Sequence, residues 1–126
     1  MWTDFIKTIT ELFNRIDKDD KELREKISIL LYELHLLILN VSDNLHINEE
    51  VNLCSKSIES LTDEIYESLK NYVRVEDMDK VYKTLKQCSH IYIEFDDYNI
   101  LHMSEFLKDV SVEIRVLSSS LRVIDN

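Results

Sequence analysis

The two cysteines are the most reactive side chains in the sequence, and both lie among apolar residues. Cys54 and Cys88 occur on hydrophobic stripes at helical spacing, where a thiol behaves as a small hydrophobic group. If the two helices that carry them form a hairpin turning near residue 75, the cysteines lie roughly 12 Å apart along the axis. A disulfide requires Cα atoms within about 7 Å. The sequence therefore predicts two free thiols in a hydrophobic core.

The histidines do not have the spacing of a metal site. A two-metal site in a helical bundle uses a Glu-x-x-His motif on each of two paired helices, and the sequence contains no such pair. We therefore expect no metal and no cofactor at the four histidines, His35, His46, His90 and His102.

One pattern of carboxylates has a spacing that metal chemistry uses. Glu64-x-x-Glu67 is followed, after 26 residues, by Glu94-x-x-Asp97. This pattern resembles the ExxE…ExxD signature of the all-α nucleotide pyrophosphohydrolases. The resemblance covers four residues and implies a site where carboxylate oxygens bind Mg²⁺, which bridges the substrate phosphates. A chain with 25 acidic residues can also contain this spacing by chance.

The chain contains no glycine and no proline, and it also lacks alanine. Loops that bind phosphate, dinucleotide-binding turns and nucleophile elbows need glycine where φ is positive or the backbone approaches a ligand closely. P-loop, Rossmann, kinase and α/β-hydrolase sites are therefore excluded, and a non-enzymatic protein is predicted. The loss of residue types with GC-rich codons indicates an AT-rich genome, such as that of a low-GC bacterium, a phage or a large DNA virus.

The net charge of −10 disfavours two classes of partner. Nucleic acids and anionic membranes are bound through Lys and Arg, so neither is expected as a direct partner. Two cysteines and no signal peptide favour a reducing, cytoplasmic location. The most acidic surface is predicted between residues 43 and 67, where seven acids face one base; its members include Glu49, Glu50, Glu59, Asp63 and Glu67.

The hydrophobic pattern predicts a single all-α domain over residues 1–126. Apolar residues recur at three- and four-residue intervals in five segments, which indicates an antiparallel up-and-down helical bundle with a short N-terminal helix and four long ones. The segment 91–95 also fits a short strand because polar and apolar residues alternate there. Thr3 and Asn48 are predicted as N-caps; the helices are expected at 3–16, 20–41, 48–72, 77–95 and 100–123.

The helix at 27–41 is apolar on two sides. At 100° per residue, one arc of Ile and Leu residues suits a bundle interior, and a second stripe lies on the opposite side. A helix that is apolar nearly all round is expected to be covered nearly all round. Helix 5 also has a second, sparser stripe. The second stripe of helix 2 contains Ile29, Tyr32, Leu36 and Leu39, and that of helix 5 contains Leu101, Val112 and Val116.

Two coverings of the second stripe on helix 2 are possible. Helix 1 could lie over it, or it could contact a second copy of the chain or another protein, as helices do in coiled coils. We therefore predict an interaction module that self-associates or serves as a small subunit of a complex. The alternatives are an acidic inhibitor or immunity-type protein that covers a basic toxin or nuclease, and the Mg²⁺-dependent pyrophosphohydrolase.

Overall fold

The structure, a computed structural model, describes residues 2–88 and 100–122. The predicted all-α bundle is confirmed, and no strand occurs within these residues. Two short 3-10 helices connect α3 to α4, at Lys70–Tyr72 and Val75–Asp77. The five α-helices are α1 (Trp2–Phe13), α2 (Lys21–Asp43), α3 (Asn48–Leu69), α4 (Met78–Gln87) and α5 (Ile100–Arg122).

The helix starts differ from the predicted caps at two places. α1 begins at Trp2, so Thr3 lies inside the helix and is not its N-cap. Asn48 is the first residue of α3, and Ile47 occupies the cap position without a side-chain hydrogen bond. At α2, the backbone N–H of Leu23 donates to Asp20 Oδ1 at 3.1 Å, which satisfies one N–H that the helix itself leaves free.

The predicted ends of helices 3 and 4, at residues 72 and 95, lie beyond the observed ends of α3 and α4. Helix 3 was expected to reach residue 72, but its last turn tightens into the 3-10 segment after Leu69, as helix ends often do. The choice between helix and strand at 91–95 lies outside the described residues. Within them, α4 ends at Gln87.

The five helices form a closed ring around one core. Neighbours around the ring are α1 and α5, α5 and α2, α2 and α3, α3 and α4, and α4 and α1. α5 therefore lies between α1 and α2, although α1 precedes α2 in the chain. An odd number of alternating helices cannot be antiparallel at every contact. The parallel neighbours are α1 and α5, whose C-terminal turns line one cavity through Phe13 and Leu117.

α2 and α5 form the most extensive helix pair, along a polar seam. The hydroxyls of Ser28 and Ser118 each donate to the other residue's carbonyl oxygen, at 2.8 and 2.7 Å, and Ser104 Oγ donates to the Ser42 carbonyl at 2.8 Å. The two helices approach closely because the side chains between them are small, and these hydrogen bonds hold them together. His35 Nδ1 lies 3.3 Å from Ser111 Oγ in the middle. We call the six residues the serine seam: Ser28, His35, Ser42, Ser104, Ser111 and Ser118.

α1 supplies much of the core on the far side of the ring. Trp2, Phe5, Ile9 and Leu12 are all buried at three- and four-residue intervals, as a helix with one apolar face requires. The rings of Trp2 and Phe5 pack edge to face, with centroids 5.4 Å apart. This position of α1 decides what remains exposed on α2.

Candidate interaction surface

The second apolar stripe of α2 lies on the outside of the ring. Ile29, Tyr32 and Leu36 are 43%, 46% and 46% exposed, whereas Leu39 is partly buried. We call these four residues the outer α2 face. They follow one another at intervals of three, four and three residues and therefore lie on one side of the helix.

The contacts of α2 explain this exposure. On one flank Ser28 and His35 meet α5, and on the other the Asn40 side-chain amide donates to Cys54 Sγ of α3 at 3.3 Å. The outer α2 face occupies the arc between these contacts. No helix of the same chain therefore covers the second stripe, and of the two coverings expected from the sequence, the one by helix 1 is wrong. α1 does not cover the stripe because α5 lies between α1 and α2.

An open groove borders the outer α2 face on the side of α3. Its volume is about 750 Å³, and Leu36 forms part of its wall. Both apolar and charged side chains line the groove, which suits a ligand that is apolar at its centre and polar at its edge. The lining residues are Glu33, Leu36, Leu37, Asn40, Lys56, Ser57, Ser60, Leu61 and Glu64.

The predicted residues of α5 are exposed as well, but they lie on a different helix of the ring. Leu101, Val112 and Val116 are all more than half exposed, and at 100° per residue Val112 projects away from the buried Ile114. The structure thus places the seven predicted partner-binding residues on two adjacent helices. Of these, only Leu36 lines the groove.

Two cations of α5 lie beside the outer α2 face. Lys108 Nζ lies 3.9 Å from Asp43 Oδ1 of α2, so this pair bridges the serine seam on its outer side. Arg115 is exposed, and within the described residues it forms no ion pair. Burial, and then the positive charge of Arg115, hold the pKa of His35 below its usual value. His35 also packs edge to face with Tyr32, at 4.9 Å between ring centroids.

Part of the predicted acidic surface is neutralised within the chain. Lys86 Nζ of α4 lies 2.9 Å from Glu59 Oε1 and 3.7 Å from Asp63 Oδ1. The hydrogen bond to Glu59, with weaker contributions from Tyr82 and the acids, raises the pKa of Lys86. Glu67 accepts a hydrogen bond from Lys70 at 2.7 Å.

These pairs change how the acidic surface can be tested. Glu49 is exposed and Glu50 is partly buried in the first turn of α3. Reversing the charge of Glu59 or Asp63 would break an ion pair of the chain itself, so Glu49 is the cleaner position. The inhibitor function remains a prediction.

Both cysteines are buried and free, as predicted. Burial raises the pKa of Cys88 and is also the main cause of the raised pKa of Cys54. Since the thiolate is the reactive form, neither thiol is activated as a nucleophile.

The carboxylate pattern can be located only in part. Glu64 and Glu67 are exposed on α3, whereas Glu94 and Asp97 lie outside the described residues. In residues 2–88 and 100–122, no three His, Cys, Asp or Glu side chains come together in a group that could hold a metal ion. Pyrophosphohydrolase activity remains a prediction.

The sequence reasoning missed the serine seam. A signal for it was present, because Ser104, Ser111 and Ser118 recur at intervals of seven on α5, and Ser28 and Ser42 lie fourteen residues apart with His35 midway. Heptad spacing of small polar residues on two helices is what a close seam requires. Leu53, 60% exposed on α3, was missed too; no periodic signal distinguishes it.

Compared with known proteins, the chain matches no family model, no curated protein and no solved structure. Across the described residues, no helix is both long and apolar enough to cross a lipid bilayer.

Proposed function

We propose that this protein is a non-enzymatic interaction module that binds another polypeptide through the outer α2 face and the adjoining groove. The exposed apolar stripe formed by Ile29, Tyr32 and Leu36 on one helix carries this proposal. Scattered exposed apolar residues are normal on a soluble protein, but a contiguous patch with a polar edge is typical of a binding surface.

The energetics favour binding at this stripe. Fully burying a large apolar side chain contributes about 1.5–3 kcal/mol relative to full exposure. Three side chains that are nearly half exposed therefore offer on the order of 1 kcal/mol each when a partner covers them. Tyr32 is also of a residue type that is enriched at the centre of interfaces.

The test is a pair of substitutions that differ in position but not in chemistry. Leu36→Asp places a charge at the centre of the outer α2 face, and Val75→Asp places one on the exposed turn between α3 and α4. We expect Leu36→Asp to abolish association while changing the free energy of unfolding by about 0.5–1 kcal/mol. Val75→Asp should change neither property.

The measurements are sedimentation of the purified chains and quantitative co-purification from the native host. Circular dichroism and urea unfolding confirm that each variant is folded. Equal association by both variants, or no association by the unmodified chain in either experiment, contradicts the proposed function.

A further inference from the structure

We infer that the occupant of the outer α2 face is a second copy of this chain, with the two α2 helices side by side and parallel. This inference rests on the proposed function and names its partner. Three independent features of the surface support it: the spacing of the apolar residues, the position of the groove and the distribution of charge.

The spacing is that of a coiled-coil seam. Ile29 and Leu36 are seven residues apart, and Tyr32 and Leu39 follow them by three, so the four residues occupy alternating a and d positions. Two of the four residues, the β-branched Ile29 at a and Leu39 at d, are of the types that favour two parallel strands. The pattern is short, which suits a seam that is supported on both sides by other helices.

The groove determines the direction of the symmetry axis. Each copy offers one ridge, α2, and one groove between α2 and α3. When the two-fold axis is parallel to α2, the grooves of the two facing copies lie on opposite sides of the axis. The α2 helix of each copy can then enter the groove of the other. An axis perpendicular to α2 stacks ridge on ridge and leaves both grooves unfilled.

The parallel arrangement places opposite charges together. It brings α5 of one copy over the α3 side of the other, so Arg115 faces the edge formed by Glu33 and Glu64. Ser111 of α5 is level with His35 of α2, and the two helices are antiparallel. Arg115, four residues after Ser111, is therefore level with the residue four before His35. In the same way, Cys54 of α3 is level with Asn40 of α2, and these helices are also antiparallel. Glu64, ten residues after Cys54, is therefore level with the residue ten before Asn40.

Arg115 and Glu64 are therefore level with adjacent residues of α2, so in the parallel dimer they lie at nearly the same height along the helix. Within the described residues, none of Arg115, Glu33 and Glu64 forms an ion pair in its own chain. Their charges are therefore available to a second copy.

The size of the surface is sufficient for a dimer. A helix of 23 residues is about 34 Å long at 1.5 Å per residue. Two interaxial distances of about 9 Å give the layer of α5, α2 and α3 a width of about 18 Å. The projected area, on the order of 600 Å², approaches the roughly 800 Å² per partner of a standard interface once corrugation is included.

Charge exchange between two variants provides the decisive test. Arg115→Glu opposes Glu33 of the second copy, and Glu33→Lys opposes its Arg115. We expect each variant alone to dimerise on the order of tenfold more weakly, since two symmetric contacts become repulsive. An equimolar mixture of the two should dimerise more tightly than either variant alone, because positions 115 and 33 carry opposite charges at both contacts of the mixed dimer, and Glu64 opposes position 115 at only one of them.

The matched controls are Arg74→Glu and Glu113→Lys, which make the same charge changes at other exposed positions. Sedimentation velocity over a concentration series measures the dimer fraction. Each control variant alone should dimerise as strongly as the unmodified chain, because neither position lies in the proposed interface. If the mixture of Arg115→Glu and Glu33→Lys stays monomeric while the unmodified chain dimerises, the parallel arrangement is wrong.

Cross-linking tests the direction of the helices separately. In the parallel dimer, position 29 of one copy meets position 29 of the other, so Ile29→Cys should form an intermolecular disulfide on mild oxidation. Val112→Cys should not, because the two α5 helices lie on opposite sides of the dimer. Both natural thiols are buried and free. Equal cross-linking at positions 29 and 112 contradicts the inference.

The outcomes separate this inference from the proposed function. A chain that remains monomeric at all concentrations, yet loses a different partner on Leu36→Asp, overturns the second-copy inference and leaves the proposed function standing. A chain whose associations all survive Leu36→Asp overturns both.

Discussion

At the scale of single residues, His35 links the interior of the molecule to its outer surface. Its ring lies in the serine seam beside Ser111 and contacts Tyr32 of the outer α2 face. The cationic neighbour is Arg115 on α5, which adds to the effect of burial in keeping the ring neutral. Protonation therefore places a second positive charge between α2 and α5.

The consequence is a loss of stability in mild acid. Because the folded-state pKa of His35 lies below the usual value of 6.5, the unfolded chain binds the proton first as the pH falls. The free energy of unfolding should be independent of this group above about pH 6.5 and decrease below it. The slope is at most about 1.4 kcal/mol per pH unit, and it ends at the folded-state pKa.

Urea unfolding of the unmodified chain and of His35→Gln, as a function of pH, isolates this contribution. The other histidines remain in both proteins, so their effects cancel in the difference. If the two proteins differ in free energy of unfolding by the same amount at pH 7 and at pH 5, His35 titrates alike in the folded and unfolded states.

At the scale of secondary structure elements, the serine seam determines how α2 is oriented. Its small residues hold α5 against one flank of α2, and the Asn40–Cys54 contact holds α3 against the other. The arc between these two contacts is then exposed by geometry, whatever residues occupy it. Sequence periodicity identified both apolar stripes of α2 and assigned one to the core, but it could not tell whether another helix of the chain would cover the second.

Enlarging one seam residue should separate α2 from α5. Ser118 is buried in the seam, whereas its neighbour Ser119 is exposed. We expect Ser118→Leu to lower the free energy of unfolding by about 1–3 kcal/mol through overpacking, and Ser119→Leu to change it by no more than about 0.5 kcal/mol. Ser118→Ala removes only a hydrogen bond and should cost about 0.5–1.5 kcal/mol.

Urea unfolding of the three variants measures these differences. If Ser118→Leu is as stable as Ser119→Leu, α2 and α5 are not closely packed at this point.

At the scale of the whole molecule, the core and the outer α2 face lie on opposite sides of α2. α1 fills the core between α4 and α5, and it has no part in the outer α2 face. A substitution in α1 should therefore affect stability without affecting association.

Phe5 is fully buried and provides this test. Phe5→Ala should cost about 3–5 kcal/mol by leaving a cavity in the core, a large fraction of the 5–15 kcal/mol typical of a folded domain. Measured at a temperature where the variant is still folded, its association should equal that of the unmodified chain. Weaker association by the folded variant would show that α1 supports the binding surface.

The sequence by itself determined the helical class, the approximate limits of four of the five helices, the two buried thiols and the existence of a second stripe on α2; α4 ends at Gln87, well before the predicted residue 95. All of these depend on local periodicity and side-chain chemistry, which act within a few turns of one helix. Only the tertiary structure decided that α5 is inserted between α1 and α2, and that Tyr32 and Leu36 consequently face outward. That choice depends on contacts between residues such as Ser28 and Ser118, which are ninety positions apart.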